Sequence, residues 1–377
     1  MLPYGRQTID DDDIAAVVEV LKSSWLTTGP AVEHFEAALT AVVGAPCVAV
    51  NSGTAALHAA YAALGLGPGR SLVSTPLTFA ATATTALHLG ASVTFADVLD
   101  GTLTLDPAAA AAAVDSRDDV AAIAAVDYAG HPCDLDELLC ITRREGLSLV
   151  EDAAHALGGT YRGRPIGSIA DVTTFSFHPV KTITTAEGGA VAVRDGGVGL
   201  DAVRQFRNHG LVRAADRMRR QDEGPWHQEV AALGLNYRMP DVLAALGAAQ
   251  LGRLRTFVAR RAALVARYRT LLGEVPGIRL LDVRDDVDPA WHLFVVRVLD
   301  GRRRELYTKL RDAGIGTQVH YLPVHLQPIF EDLGHRRGSC PVAEAAYEEI
   351  LSLPLFPTLS DAQLDRVVET IAQILGT

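Results

Sequence analysis

The stretch Thr174-Phe175-Ser176-Phe177-His178-Pro179-Val180-Lys181 brings one lysine to the end of a mostly apolar approach. From it, Thr182-Ile183-Thr184-Thr185-Ala186-Glu187-Gly188-Gly189 leads into a second apolar run over 190–193. A lysine is ordinarily a solvated surface charge. Apolar neighbours penalise its ammonium form and favour the neutral amine that a Schiff base requires. The paired glycines leave room for a flat ligand against the backbone. Lys181 is therefore expected to hold pyridoxal 5′-phosphate (PLP).

Working back from that lysine, the apolar run 147–150 ends in Glu151-Asp152-Ala153-Ala154-His155. Side chains alternate along a strand, so only one of the two carboxylates is expected to reach a site at its end. A carboxylate against a pyridine nitrogen keeps that nitrogen protonated, which lets the ring accept the electrons of a carbanion. Asp152 suits this role and also suits a plain helix cap; its place ahead of Lys181 makes the pair more specific. Further back, the strand 47–50 is followed by Asn51-Ser52-Gly53-Thr54 and a helix from Ala55 to Leu64. A strand, a hydroxyl-rich turn and a helix N-terminus can present backbone N–H groups to a phosphate. Phe79, beyond the strand 71–75, could stack on a ring, although a lone aromatic is as readily part of a core.

The intervening segments alternate strand and helix: a helix over 78–89, strands over 92–95 and 120–126. This rhythm predicts a mainly parallel sheet covered on both faces, with ligands at the carboxyl ends of its strands. Leu200 to Arg207 read as a helix, 212–229 as an exposed loop, and 242–272 as the longest helical run. A strand over 291–299, a helix over 304–313 and helices near 342–352 and 361–375 predict a smaller α+β unit. Residues 1–245 are thus expected to form an N-terminal segment and a large cofactor-binding domain, and residues 246–377 a spanning helix and small domain. The acidic run Asp10 to Asp13 is expected to be a solvated helix cap.

The totals narrow the possible functions. With 377 residues, 49% of them hydrophobic and 21% charged, the chain can bury two cores. A net charge of −11 argues against nucleic acid or an anionic membrane as partner. The four cysteines form no CxxC pair, and the twelve histidines form no HExxH pattern, so no metal is expected. Met1-Leu2-Pro3-Tyr4-Gly5-Arg6 lacks signal-peptide character, and the expected location is the cytoplasm.

Taken together, several motifs resemble the DegT/StrS-type PLP-dependent sugar aminotransferases over nearly the whole chain. They are Ser52-Gly53-Thr54-Ala55-Ala56-Leu57, Thr75-Pro76-Leu77-Thr78-Phe79, Glu151-Asp152-Ala153-Ala154-His155-Ala156, the segment ending at Lys181, Arg207-Asn208-His209-Gly210 and Asn236-Tyr237-Arg238. The opening Pro3-Tyr4-Gly5-Arg6-Gln7, the Leu26-Thr27-Thr28-Gly29-Pro30 loop and Val319-His320-Tyr321-Leu322-Pro323-Val324-His325 are similar to the UDP-sugar 4-aminotransferases of pseudaminic acid biosynthesis.

The resemblance implies an α/β, type I (aspartate aminotransferase-like) fold and a homodimer with shared active sites. Lys181 would hold the cofactor and carry the proton between Cα and C4′. Asp152 would pair with the ring nitrogen, His155 would lie near the phenolic oxygen, and Phe79 would stack on the ring. Ser52, Gly53, Thr54 and Ser176 would bind the phosphate, with Asn236 reaching in from the other subunit. Substrate contacts would fall at Arg6, Thr28, His178, Arg238, His320, Tyr321 and His325. The implied reaction is ping-pong through pyridoxamine phosphate, from L-glutamate to the C4 ketone of a UDP-linked 4-keto-6-deoxy sugar.

Two features depart from the family pattern. Ala186 stands where glycine often precedes Glu-Gly-Gly, and Trp226-His227-Gln228-Glu229 lacks expected tyrosines, which bears on sugar identity. Other readings are amination at C3, a dTDP- or GDP-linked sugar or a cyclitol ketone as substrate, and a non-catalytic PLP-binding regulator. The lysine itself argues against the family's dehydratases, which carry histidine there, and the absent GxGxxG fingerprint argues against an NAD-dependent dehydrogenase.

Overall fold

The computed structural model describes residues 1–194, 199–220 and 222–376. Helices α1 (Asp11–Lys22) and α2 (Pro30–Val43) lead into an alternating series. It runs β1 (Cys47–Val50), α3 (Gly53–Ala63), β2 (Ser71–Ser74), α4 (Ala81–His88), β3 (Ser92–Phe95), α5 (Pro107–Asp115), β4 (Val120–Val126), α6 (Leu135–Glu145) and β5 (Ser148–Asp152). The short strands β6 (Thr160–Tyr161) and β7 (Arg164–Pro165) form a side hairpin before β8 (Val172–Ser176) and β9 (Gly189–Val193). Seven of these strands make one sheet in the order β1-β9-β8-β5-β4-β2-β3. The five from β8 to β3 pair in parallel, and β9 alone runs against its neighbours.

Both faces of this sheet are covered, which the alternation along β4 makes visible. Ile123 and Ala125 pack into one apolar cluster with α2 and α6, whereas Ala122 and Ala124 pack into another with Leu57 and Tyr61 of α3. Strand order reverses between β2 and β4, the place where open α/β sheets form a crevice at their carboxyl ends. The reversal from β8 to antiparallel β9 throws the 177–188 loop out at that same end. Phe177 N–H donates to Gly188 O and Thr185 N–H to Phe177 O, so the lysine-bearing loop is closed across its base.

Beyond β9 come α7 (Leu200–Arg207), the pair β10 (Leu211–Val212) and β11 (Glu229–Val230), then α8 (Asp241–Gly252) and α9 (Leu254–Leu272). Of the expected 212–229 loop, residue 221 lies outside the described residues. The chain then forms β12 (Ile278–Leu280), β13 (Val287–Asp288), β14 (Phe294–Val298), α10 (Arg303–Asp312), α11 (Pro328–Asp332), α12 (Pro341–Glu349), β15 (Ile350–Leu353) and α13 (Asp361–Leu375). β12, β14 and β15 make an antiparallel sheet with its own core, in which Leu264, Tyr268, Val296, Leu351 and Ile371 meet.

Three sequence expectations change. The long helical run is broken at Arg253, whose φ of −105° and ψ of 3° leave the helical region. Its guanidinium is drawn instead to the carboxylates of Asp10 and Asp13. The acidic run is consequently more than a solvated cap. Asp10 and Asp13 cap each other's backbone, and Asp13 is fully buried, also accepting from Gln250 Nε2 at 2.6 Å. The helix expected over 342–352 stops at Glu349, because Ile350–Leu353 completes the sheet beside β14, with Leu351 opposite Val296. Long-range strand pairing overrides local helical pattern there.

Ala186 has φ +64°, in the left-handed region that favours glycine, and its side chain is exposed. This accounts for the glycine common at that position. Replacing it by glycine (A186G) is expected to raise stability by about 0.5–1 kcal/mol, the left-handed penalty less the entropy of the unfolded glycine. Urea unfolding of the two proteins in parallel checks this; a destabilised variant would contradict it.

Candidate active site

A cavity of about 380 Å³ opens at the carboxyl ends of β4, β5 and β8. Strand register sets its floor: Val126, Asp152 and Thr174 are direct neighbours across β4, β5 and β8, so they share one face and all three line it. Glu151 turns the other way. It is buried and accepts from Thr173 Oγ1 at 2.8 Å, so one carboxylate of the pair reaches the cavity.

Asp152 is held tightly. Its Oδ2 accepts from Thr82 Oγ1 at 2.7 Å, its Oδ1 from Ala154 N–H at 3.2 Å, and Thr78 Oγ1 stands 2.8 Å from Thr82 Oγ1. Burial pushes the Asp152 carboxyl up, while these donors and the nearby Lys181 pull it back. Lys181 behaves oppositely. Burial lowers its ammonium to about 8, and Asp152 opposes the change. At that value the neutral amine at pH 7 is on the order of 300-fold more abundant than for a solvated lysine.

Three histidines stand around the lysine. His155 and His292 line the cavity with ring centroids 4.4 Å apart, and burial, reinforced by Lys181, holds both well below the ordinary imidazole range. His320 is lowered to about 4 for the same reasons, and its Nδ1 lies 2.8 Å from Ser352 Oγ. All three are neutral at physiological pH. Tyr321 OH is 3.4 Å from His155 Nε2, and the exposed Phe79 ring meets the Tyr321 ring edge-on at 6.2 Å.

The turn before α3 forms the remaining wall. Ser52 caps the helix by accepting from Ala55 N–H at 3.0 Å, and the first N–H groups of a helix have no partner within it. A Cβ on Gly53 would come within 2.8 Å of Ser176 Cβ, so the turn and Ser176 are in close apposition. Ser52, Gly53, Thr54, Ser176 and His178 all line the cavity. These residues fit PLP. The helix N-terminus and hydroxyls suit its phosphate, Phe79 its ring face, Asp152 its nitrogen, and Lys181 its aldehyde. His155 Nδ1 and Thr174 Oγ1, both buried without a partner among the described residues, provide polar edges for its substituents.

Other expected site residues lie elsewhere in this chain. Asn236 sits beside the phosphate turn, its carbonyl accepting from Asn51 Nδ2 at 3.3 Å, but its side chain is not part of the cavity wall. Thr28 and Arg238 line a second cavity of about 420 Å³, together with Arg204, Arg207, Arg213 and Arg217 and the carboxylates Glu33, Glu36 and Asp201; Arg207 pairs with Glu36, and Arg204 and Arg217 with Asp201. Arg6 borders a small cavity beside Lys181. His325 is a correction: it is fully buried, its Nε2 2.8 Å from Glu344 Oε1, because the short turn after Pro323 folds it inward toward Phe95. Sequence reasoning missed Thr82 and His292. A threonine on the next helix and a histidine ahead of a distant strand carry no local signal of a shared cavity.

The fold and cavity define an aminotransferase that uses PLP, and comparisons with known proteins agree. The description DegT/DnrJ/EryC1/StrS aminotransferase family matches residues 7–372, and the chain belongs to that family. SpsC of Bacillus subtilis, a spore coat polysaccharide biosynthesis protein, is 41% identical over 99% of this chain and 97% of its own. Spr1654 of Streptococcus pneumoniae in its PMP form superposes with a TM-score of 0.93 at 30% identity, covering 100% of this chain and 99% of its own. PseC of Helicobacter pylori, an aminotransferase of pseudoaminic acid biosynthesis, superposes with a TM-score of 0.91 at 27% identity, covering 100% and 99%.

Gly53→Ala tests the close approach of turn and Ser176. Overpacking of that size costs about 1–3 kcal/mol, so PLP affinity is expected to fall roughly tenfold or more with the fold intact. Fluorescence titration of cofactor-free protein with PLP checks it, and unchanged affinity would show that the turn does not contact the phosphate.

Proposed function

We propose that this enzyme moves the amino group of L-glutamate to the C4 ketone of a UDP-linked 4-keto-6-deoxy sugar. The reading rests on one observation above others: Lys181 and Asp152 face a common cavity with opposed, burial-driven shifts in proton affinity. The sugar class is suggested by the similarity to SpsC and PseC and by the Val319–His325 motif.

Bound PLP supplies an electron sink for the pair released when a C–H bond beside the amino group is broken. The chain's own groups do the rest. Lys181 Nζ would hold the cofactor through its aldehyde, and as a free amine would be the base that takes and gives back the substrate proton. Asp152, fixed by Thr82 and the Ala154 N–H, would pair with the ring nitrogen and favour its protonated form. Neutral His155 and Tyr321 line the same cavity and would border the ring's polar edge without adding a competing charge. The apolar approach at Phe175, Phe177 and Val180 limits water around the amine.

Glutamate and a nucleotide sugar are anions, and the chain is acidic overall, so they need a local basic surface. We assign that role to the arginine-lined cavity holding Arg238 and Thr28, and in a homodimer it serves the partner's site together with Asn236. The exposed apolar residues Trp25, Leu26, Phe79, Trp226 and Leu233 favour such an association. The enzyme is assigned to the cytoplasm, in keeping with its four unpaired cysteines. No helix among the described residues is long and apolar enough to cross a membrane.

Incubation with glutamate and a panel of keto-sugar nucleotides, read by mass for 2-oxoglutarate and amino sugar, is expected to yield a 4-amino product from a UDP-linked ketone. A 3-amino product, or turnover only with other nucleotides, would displace this assignment. Lys181→Ala is expected to abolish multiple turnover; full activity would remove the lysine from the mechanism. Sedimentation equilibrium is expected to give a dimer mass, and a monomer with full activity would end the shared-site reading.

A further inference from the structure

Lys181, which lines the large cavity, also borders a small pocket of about 10 Å³ whose walls include Thr8, Thr182, Gln250 and Arg261. No carboxylate lines it. Three buried polar atoms on these walls have no hydrogen-bond partner among the described residues: Thr8 Oγ1, Thr182 Oγ1 and Arg261 Nε. They come from segments far apart in sequence, namely the N-terminal segment, the lysine loop and α9.

Arg261 is 1% exposed, burial alone shifts its guanidinium, and it has no acidic partner among the described residues. Its Nη1 donates to Leu355 O at 3.0 Å, to His292 O at 3.2 Å and to Trp291 O at 3.4 Å. Its Nη2 reaches Val180 O and Lys181 O, each at 3.5 Å. Carbonyl dipoles therefore solvate the terminal nitrogens and leave the Nε–H as the unmet donor. Burial lowers this guanidinium only to about 10, so it is cationic at neutral pH. Thr8 is itself anchored, its carbonyl accepting from Gln250 Nε2 at 2.9 Å.

A single water molecule needs roughly 10–15 Å³ and two to four polar partners, and apolar cavities of similar size stay dry. This pocket has about that volume and three such partners. We propose that it is a second binding site for one water-sized hydrogen-bond acceptor, a water molecule or a chloride ion, held by Arg261 Nε–H and the hydroxyls of Thr8 and Thr182. The occupant and the guanidinium together hold the Lys181 backbone. Thr182 and Arg261 are thus positioning residues for the lysine. The binding site itself stands on the pocket's geometry and does not depend on which sugar the enzyme takes.

Crystals of the holoenzyme grown in halide-free buffer and in sodium bromide test the site directly. The expected result is a density peak within about 3.3 Å of all three atoms. An anomalous signal in bromide identifies a halide, and a peak without it identifies water; either supports the site. An empty pocket, or a peak that touches none of the three atoms, overturns it. Thr182→Val is expected to lose the peak and to move the absorbance titration of the lysine-bound cofactor by about half a pH unit or more. Thr182→Ser, which keeps the hydroxyl, is expected to restore both. A valine variant with the wild-type titration midpoint would overturn the positioning role even if the occupant is present. Loss of sugar turnover with both peak and titration intact would point to the substrate assignment instead.

Discussion

Withdrawing an amine and a carboxylate from water at the same end of one sheet is the constraint on which the rest of this structure depends. Each group alone would be driven toward its neutral form by burial. Facing a common cavity, they oppose each other's shift: burial gives Lys181 its neutral fraction against the pull of Asp152, and Lys181 compensates part of the cost of charging Asp152. The parallel strands provide the geometry. β5 ends in Asp152, and the turn from β8 into antiparallel β9 returns Lys181 to the same rim.

The cavity is closed by residues from both cores. Thr82 and the Ser52–Thr54 turn belong to the large sheet's layers, whereas His292, His320 and Tyr321 arrive from the chain segments around β14 and β15. Arg261 connects the two. Its guanidinium touches carbonyls of the lysine loop on one side and of Trp291, His292 and Leu355 on the other. A buried cation satisfied by backbone dipoles suits such a hub, because its donors diverge in a fixed plane. Displacement of either core would be felt at the lysine.

Neutral histidines are a consequence of the same arrangement. Burial and the neighbouring lysine keep His155, His292 and His320 uncharged, so no imidazolium competes with Lys181 for Asp152. The recess near Thr28 and Arg238, which we propose receives the anionic substrates, lies outside this cavity.

Much of this was legible in sequence because it is written in short range. Apolar runs bounded by turn residues marked the parallel strands, and the period of two along 147–152 marked one carboxylate, not both, as facing the site. Lys181, with apolar residues before it and glycines after, was recognisable as an amine in an apolar setting. Other features required the folded chain. Arg253 breaks the long helix because Asp13, some 240 positions away, is buried beside it. Ile350–Leu353 is a strand because β14 offers an unpaired edge. His325 shares a loop with Tyr321 yet turns inward to Glu344, and Thr82, His292 and Arg261 meet the site only across the fold. The sequence by itself determined which local elements form and which groups can do chemistry, since both follow from residue type and spacing. Only the tertiary structure decided which of those groups lose water together, because burial and charge coupling depend on neighbours that the chain brings in from afar.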